Sequence, residues 1–429
     1  MKLYRHQMEV LDQTKELKRV AYYLDMGLGK TYVGSEKMFQ IGNRINLLIC
    51  QKSKVNDWVY HFNFNYPTWM VIDYTRKSNQ ISAWEITKYS AHTPVVVVVN
   101  YELAWRRIEL SKLDKITLML DESSMIQNSK AKQTKFVMKL KPDACILLSG
   151  TPCGGKFENL YTQAKLLGCD ITKRQFEEQF VNFEIIKGMG GIPVRIVDRK
   201  TPYKNIPQLK AMLHLNGAVF MKTEEVMSLP EQNFVTVHCP LTKDYRTFLK
   251  EKVVEIGERE FLGNTPLAFR LGLRQLASGY SKEKLEVFKD LISSTSDRLI
   301  VFYNFTQELE ALREICHEMG RPVSVMSGQE KDLRAYEEES DSVTFCQYQA
   351  GAMGLNLQKA NKVIYFSLPE RSELFEQSKK RIHRIGQSHP CTYYIMQSVS
   401  SIDQRIYMAL EKKQDYTEQL FKKDYMKEE

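Results

Sequence analysis

Short apolar runs alternate with amphipathic stretches along most of the chain. This is the pattern of strands buried on both faces and connected by helices. In the first half the runs are Val20–Leu24, Asn46–Cys50, Val95–Asn100, Ile116–Leu120 and Ala144–Leu148. In the second half they are Leu299–Tyr303, Val323–Met326, Val343–Cys346, Lys362–Phe366 and Thr392–Gln397. Two such sets predict an α/β chain with two doubly wound lobes, each built on a parallel sheet. From about Gly154 to Ser281 the alternation lapses. That stretch carries Lys187-Gly188-Met189-Gly190-Gly191, a hairpin-like turn between alternating runs, and long charged helical patterns near Asp244–Glu260 and Leu267–Ser278. It predicts a helical insertion with a small hairpin. The expected boundaries are 1–225 for an N-terminal lobe, with the insertion starting near 154, then 226–281 for a helical linker and 282–429 for a C-terminal lobe.

Composition adds a few constraints. A chain of 429 residues with 43% hydrophobic residues can build more than one core. The formal net charge of +9 favours a polyanionic partner, although a lysine-rich solvated surface gives the same figure. None of the eight cysteines forms a Cys-x-x-Cys pair, and the eight histidines do not cluster with them, which argues against zinc. Many cysteines lie in apolar strand-like runs, where a reduced thiol packs as a small hydrophobe, as expected in a reducing compartment. Met-Lys-Leu-Tyr-Arg-His-Gln is not a signal peptide, and Val95–Val99 is too short to span a bilayer. The expectation is a soluble cytoplasmic protein with no membrane partner.

The strongest chemical signal follows the first strand. Asp25-Met26-Gly27-Leu28-Gly29-Lys30-Thr31 places a glycine turn before a helix that opens with Lys-Thr. Gly27 and Gly29 let the N–H groups of the turn, Leu28 included, face phosphate oxygens, and the helix N-terminus adds partial positive charge. Lys30 can reach the β- and γ-phosphates of ATP, and the Thr31 hydroxyl can ligate Mg²⁺. Leu24 stands where the full eight-residue phosphate loop has its first glycine. Upstream, the Gln7 amide matches the donor and acceptor pattern of an adenine edge; a surface residue on an N-terminal helix is the other reading. The second strong signal is Leu118-Met119-Leu120-Asp121-Glu122-Ser123-Ser124. An apolar strand ending in paired carboxylates suits Asp121 for holding Mg²⁺ and Glu122 for activating the attacking water.

Weaker signals sit at other strand ends, where open α/β sheets bind ligands. Lys52, Ser53 and Lys54 offer contacts to nucleic-acid phosphates, or simply open a helix whose Trp58 packs inward. Asn100-Tyr101-Glu102 is a polar cluster for a nucleic-acid strand or a plain turn. Ser149-Gly150-Thr151-Pro152 can link a metal site to a nucleic-acid path, or merely end a strand. In the second half, the segment from Gly351 through Gly354 to Asn356 allows close backbone approach to phosphate. Arg381 and Arg384, three apart in Arg-Ile-His-Arg-Ile-Gly-Gln, share one helical face and can bind a transferring phosphoryl group; a basic solvated helix is the alternative.

In this order the motifs resemble those of superfamily-2 helicase-type ATPases, and more narrowly the Swi/Snf branch of DNA translocases. Asp-Met-Gly-Leu-Gly-Lys-Thr at 25–31, Asp-Glu at 121–122, Ser-Gly-Thr-Pro at 149–152, Gly-x-x-Gly-Leu-Asn-Leu at 351–357 and Arg-Ile-His-Arg-Ile-Gly-Gln at 381–387 carry it. The segment from Phe220 to Val226 is similar to the family's linker, with Met221 at a usual arginine position. The resemblance implies two RecA-like lobes closing on ATP, with duplex DNA across both. It implies that Arg384 acts as the arginine finger beside Arg381, and that Gly354 belongs to the nucleotide site. Lys52, Ser53, Asn100, Thr151, Gly351 and Asn356 then line the nucleic acid. The implied function is a monomeric, Mg²⁺- and ATP-dependent motor on double-stranded DNA, in bacterial or phage replication, recombination or repair. The alternatives are a strand-separating helicase, or an ATP-gated clamp serving a replication or nuclease partner. Ser123-Ser124 stand where the family has Ala-His, a departure that touches the coupling of hydrolysis to the DNA path. Ala352-Met353 replace a common further glycine, and the chain ends soon after the last motif, like a bare motor of small bacterial or phage type.

Overall fold

A computed structural model describes residues 3–187, 193–198, 200–226, 228–348 and 355–426. The chain divides into two compact units, Met1–Ser228 and Leu229–Glu429.

In the first unit the sheet strands are β1 (Arg19–Leu24), β2 (Ile45–Cys50), β3 (Met70–Asp73), β4 (Val95–Asn100), β5 (Ile116–Asp121) and β6 (Ala144–Leu148). A separate antiparallel hairpin pairs β7 (Phe183–Lys187) with β8 (Pro193–Val197), and β9 (Ala218–Met221) returns to the sheet. The sheet order is β3-β4-β2-β5-β6-β1-β9, and every pairing is parallel. Strand periodicity divides the apolar runs between two faces. Val20, Tyr22, Leu24, Leu48, Val96 and Val98 line one face, while Ala21, Tyr23, Leu47, Ile49, Val97 and Val99 line the other. Both faces are covered, so the strands read as continuous apolar runs.

Helix α1 (Arg5–Gln13) is followed by α2 (Lys30–Ile41) and α3 (Val55–Asn65). Val33 and Met38 of α2 pack with Val55, Trp58 and Phe62 of α3 on one face of the sheet. Gly34 permits this close approach: a Cβ there would lie 2.8 Å from Leu148 Cδ1. His61 Nε2 donates to Ser35 Oγ over 2.8 Å, because Asn65 Nδ2 donates to the other ring nitrogen at 3.3 Å. The two helices are thereby joined by a buried neutral imidazole.

The second unit repeats the architecture with β10 (Gln232–Cys239), β11 (Val253–Ile256), β12 (Arg259–Leu262), β13 (Leu299–Tyr303), β14 (Val323–Met326), β15 (Lys331–Asp332), β16 (Val343–Gln347), β17 (Lys362–Tyr365) and β18 (Cys391–Ser398). Its sheet order is β10-β18-β17-β13-β16-β14-β15, parallel except for β14 against β15. An ion pair between Lys284 and Asp403, 2.6 Å apart and almost fully buried, ties the helix Lys282–Ser293 to the helix Ile402–Glu411.

Several elements depart from the expected pattern. The stretch expected as a helical linker, 226–281, contributes β10 to the second sheet, where it pairs along its whole length with β18. The helix expected over 244–260 ends at Glu251. Lys252 turns left-handed at φ 59°, and the β-branched alternation of Val253-Val254-Glu255-Ile256 then pairs as the hairpin β11–β12 around Gly257. The turn Gly188–Gly191 lies outside the described residues, but its flanks form β7 and β8.

The His61 bridge makes the first unit acid-sensitive. Burial pulls the imidazole down to about 4 from its ordinary 6.5. A depressed histidine contributes stability that is present above the unfolded value and is lost as pH falls through the folded one. We expect urea midpoints of the wild type to fall between pH 6.5 and 4. His61→Gln should flatten that slope; an unchanged slope would rule out His61 as its source.

Candidate nucleotide and nucleic-acid sites

β1 ends at Leu24, the turn spans Asp25 to Gly29, and α2 begins at Lys30. Gly27 and Gly29 sit at φ 91° and 76°, left-handed values that side chains rarely adopt. Gly29 is also the N-cap of α2, and no side chain caps it, so the first amides of this twelve-residue helix keep an open end. A Cβ on Gly29 would come within 2.0 Å of Gln7 Nε2, so the Gln7 side chain lies directly on the turn. Gln7 is buried. Its Nε2 donates to the Leu28 carbonyl at 3.1 Å, and its Oε1 accepts from the Tyr4 N–H at 2.9 Å. The reading of Gln7 as a surface residue is therefore corrected. The His6 Nε2 donates to the same Leu28 carbonyl, also at 3.1 Å.

Lys30 Nζ donates to the carbonyls of Leu24 at 2.9 Å and Asp25 at 3.2 Å. The strand-end loop at Ser149–Pro152 lies against it: a Cβ on Gly150 would sit 3.3 Å from Lys30 Nζ. Thr31 is half-buried in the first turn of α2. Asp25 holds the chain that leaves the first unit. Its N–H donates to the Met221 carbonyl at 3.0 Å, and its Oδ2 accepts from the Thr223 N–H and hydroxyl at 3.1 and 3.2 Å.

The paired carboxylates end β5 two strands away from β1. Burial pushes the Asp121 carboxyl above its ordinary range, opposed by the Trp58 indole N–H, which donates to Oδ2 at 2.8 Å, and by Lys54 and Lys30. The structure thus gives Trp58 a polar duty beyond packing inward. Glu122 adopts φ 53°, a left-handed kink in a non-glycine residue that separates its side chain from that of Asp121. Tyr101 OH steadies the kink by donating to the Asp121 carbonyl at 3.0 Å.

Two hydrogen-bonded paths lead from this turn to the Ser149–Pro152 loop. Ser149 Oγ donates to Glu122 Oε2 at 3.3 Å and accepts from the Thr151 N–H at 3.1 Å. Ser123 Oγ donates to Gln163 Oε1 at 2.7 Å, and Gln163 Nε2 donates to the Pro152 carbonyl at 2.7 Å. Gln163, in a helical run that also carries Thr162 and Lys165, gives no distinct sequence sign of the second path.

The expected nucleic-acid residues of this unit all lie at or just after the ends of β2, β4 and β6 but differ in exposure. Lys52 is exposed and Ser53 half-buried in the short turn Lys52–Lys54, and Lys54 pairs with Asp57 at 2.8 Å. Thr151 is half-buried beside Ser149. Asn100 is buried with its amide donating to Glu102, so the structure gives it no surface for a strand.

In the second unit Gly351 and Gly354 lie outside the described residues. Asn356 is exposed. Its neighbour Leu357 donates its N–H to the Arg381 carbonyl at 3.1 Å, and Gln387 Nε2 donates to the carbonyls of Ala360 at 2.9 Å and Gln358 at 3.2 Å. These bonds staple the segment after the glycine-rich loop to Arg381–Gln387. His383 Nε2 donates to the Pro230 carbonyl at 2.8 Å, tying the same segment to the start of the unit. Arg381 is buried. Arg384 is half-buried and desolvation lowers its pKa; among the described residues its buried Nε has no acceptor. A guanidinium kept partly from water without an acceptor for that N–H is suited to an anion supplied from outside.

A glycine turn with Lys-Thr, a strand-end carboxylate pair and a second α/β unit carrying Arg381 and Arg384 define a phosphate-loop protein of the helicase type. The chain belongs to the SNF2-related family, whose domain description "SNF2-related domain" matches residues 23–318; "Helicase conserved C-terminal domain" matches residues 283–386. The chain is 25% identical over 453 aligned positions to the human DNA excision repair protein ERCC-6, covering 89% of this chain and 30% of that protein. It is 23% identical to the Bacillus subtilis putative ATP-dependent helicase/translocase YwqA, covering 77% of this chain and 38% of the relative. The chain therefore spans about a third of the length of these relatives. Among solved structures, the Sulfolobus solfataricus SWI2/SNF2 ATPase core in complex with dsDNA aligns with a TM-score of 0.47 at 20% identity, over 99% of this chain and 92% of that one. Among the described residues no helix is long and apolar enough to cross a membrane.

The Trp58–Asp121 bond can be weighed directly. Hydrogen bonds to charged groups contribute about 1.5–3 kcal/mol. Trp58→Phe should destabilise the first unit by at least that amount at pH 7, lost packing included. In an Asp121→Asn background the same substitution should cost less. Equal costs in the two backgrounds, read from urea unfolding, would mean that the indole N–H does nothing for the carboxylate.

Proposed function

We propose that the chain is an ATP-hydrolysing motor that moves along double-stranded DNA. The observation that carries the reading is the shared rim of β1, β6 and β5, where Lys30, Ser149 and the Asp121–Glu122 pair stand at neighbouring strand ends of an SNF2-related chain. In this reading the backbone amides from Gly27 to Gly29 and the open end of α2 hold the triphosphate. Gln7, fixed on the Leu28 carbonyl, borders the base. Lys30 leaves the Leu24 and Asp25 carbonyls for phosphate oxygens. Thr31 and Asp121 are the residues suited to Mg²⁺, and the raised Asp121 carboxyl fits a group whose ionised form awaits a cation. A metal held by these two residues would supply positive charge to neutralise the phosphate oxygens. Glu122, aimed by its left-handed kink and bonded to Ser149, takes the proton of the attacking water. Arg384, with Arg381 beside it, stabilises charge on the transferred phosphoryl group.

Lys52, Ser53, Thr151 and Asn356 are the residues we assign to the DNA backbone. A net charge of +9 supports a polyanionic track. A monomeric motor in bacterial or phage replication, recombination or repair is the cellular setting we assign. The test compares ATP turnover with duplex, single-stranded and forked DNA and with RNA, at fixed salt. Duplex should stimulate most, and a triplex-forming strand ahead of the enzyme should be displaced only with ATP. Greater stimulation by single strands or RNA would overturn the duplex assignment, and stimulation without displacement would favour an ATP-gated clamp.

Residue roles separate in two variants. Glu122→Gln should still bind Mg-ATP but hydrolyse it slowly, remaining on DNA. Arg384→Ala should lower turnover by about 10³-fold or more, as loss of an arginine finger does, and Arg384→Lys should rescue little because an ammonium lacks the planar fork. Recovery of the wild-type plateau by Arg384→Ala at saturating DNA would reassign that residue to DNA binding.

A further inference from the structure

Gln163 lies on the helix Tyr161–Leu167, which covers the face of the first sheet opposite α2 and α3. Its side chain is fully buried and every partner is polar. Oε1 accepts from Ser123 Oγ at 2.7 Å and from Tyr23 OH at 3.0 Å, while Nε2 donates to the Pro152 carbonyl at 2.7 Å. The orientation of the amide is set by Pro152, whose carbonyl can only accept. One side chain thus touches three strand ends: β1 before the phosphate turn, the carboxylate turn after β5, and the Ser149–Pro152 loop after β6. Buried polar networks of this kind hold one geometry firmly, since a half-made network leaves an unpaired polar group out of water.

The position matters because of the residues after Asp121-Glu122. Ser123-Ser124 follow the pair directly, so short hydroxyl side chains stand beside Glu122. Ser123 is fully buried and its hydroxyl is spent on Gln163. We propose that Gln163 is a positioning residue that couples the carboxylate turn to the Ser149–Pro152 loop, so that a change at the DNA-facing loop alters the aim of Glu122. The inference rests on the reading of the chain as a DNA-stimulated ATPase. Gln163 touches neither triphosphate nor DNA. A shift of the loop pulls on the Pro152 carbonyl, the amide transmits it to Ser123, and the kinked Glu122 next to Ser123 moves with it. Ser149, bonded to Glu122 directly, moves with the same loop.

The test measures ATP turnover of the full chain without DNA and across a duplex titration, alongside melting temperature and duplex affinity. Gln163→Leu should keep DNA-free turnover and duplex affinity near wild type while lowering the maximal stimulation by about five-fold or more, the usual lower range of coupling between sites. Ser123→Ala, a milder change, should lower stimulation in the same sense. The double variant should lose no more than the stronger single one, since both cut one link. Tyr23→Phe removes a bond to the same oxygen but leaves the Ser123–Gln163–Pro152 chain, so it should cost stability without costing stimulation. Absence of duplex stimulation in the wild type would remove the motor reading and this inference together. With wild-type stimulation intact, full stimulation in a folded Gln163→Leu would overturn the coupling role alone. Multiplying losses in the double variant, or an equal loss in Tyr23→Phe, would do the same.

Discussion

Parallel strand pairing is the constraint on which the first unit depends. Because β5, β6 and β1 run the same way side by side, their carboxyl ends finish on one rim. Antiparallel neighbours would send alternate ends to opposite edges and scatter the chemistry. The rim gathers a glycine turn, a carboxylate pair and a Ser-Gly-Thr-Pro loop from the segments 25–31, 121–122 and 149–152. The largely apolar central strands make that arrangement stable, since both faces are covered and the backbone hydrogen bonds are made within the sheet. Polar side chains then meet only where the strands end.

At that rim, electrostatics and packing oppose each other. Burial disfavours the charge on Asp121, while an indole N–H and two ammonium groups favour it. The balance leaves the Asp121 side chain fixed in place by the Trp58 indole but raised above the usual carboxyl range by its burial. Lys30 shows the complementary condition, its ammonium resting on the backbone carbonyls of Leu24 and Asp25. Arg384 of the second unit has a buried N–H without an acceptor among the described residues. All three are charged side chains held at least partly out of water.

The buried strands were legible because parallel sheets write themselves as apolar runs, and the chemical motifs because glycine, Lys-Thr and paired carboxylates have few other uses together. The elements that escaped were those without such a signature. β3 and β9 are four residues long, and β10 is mostly exposed on a sheet edge, so Gln232-Asn233-Phe234-Val235-Thr236 carries no continuous apolar run. The second hairpin was masked by the helix-forming charges around it. Trp58 could be read as inward-facing, but the partner of its N–H is a contact across 63 residues that no local pattern encodes. Gln163 has no local signature, since a single amide beside Thr162 and Lys165 in a short helix looks like an ordinary polar position. Asn100 sat at a strand end like the others, and only burial separates it from them.

The order in which the strands leave the ribosome gives β9 a further meaning. β1 lies between β6 and β9, and its register with β9 pairs Ala21 with Ala218 and Leu24 with Met221. The first strand of the chain therefore waits for nearly two hundred residues to be synthesised before its second neighbour exists. Asp25, at the tip of the phosphate turn, waits for Thr223 over the same interval. A nascent chain that has made the phosphate turn, the carboxylates and the Ser-Gly-Thr-Pro loop still lacks the strand that closes the sheet beside them. Contacts this distant in sequence form slowly and leave an open strand edge in the meantime. The glycine turn after β1 thus gains its Thr223 bonds only when the chain passes from its first unit toward its second.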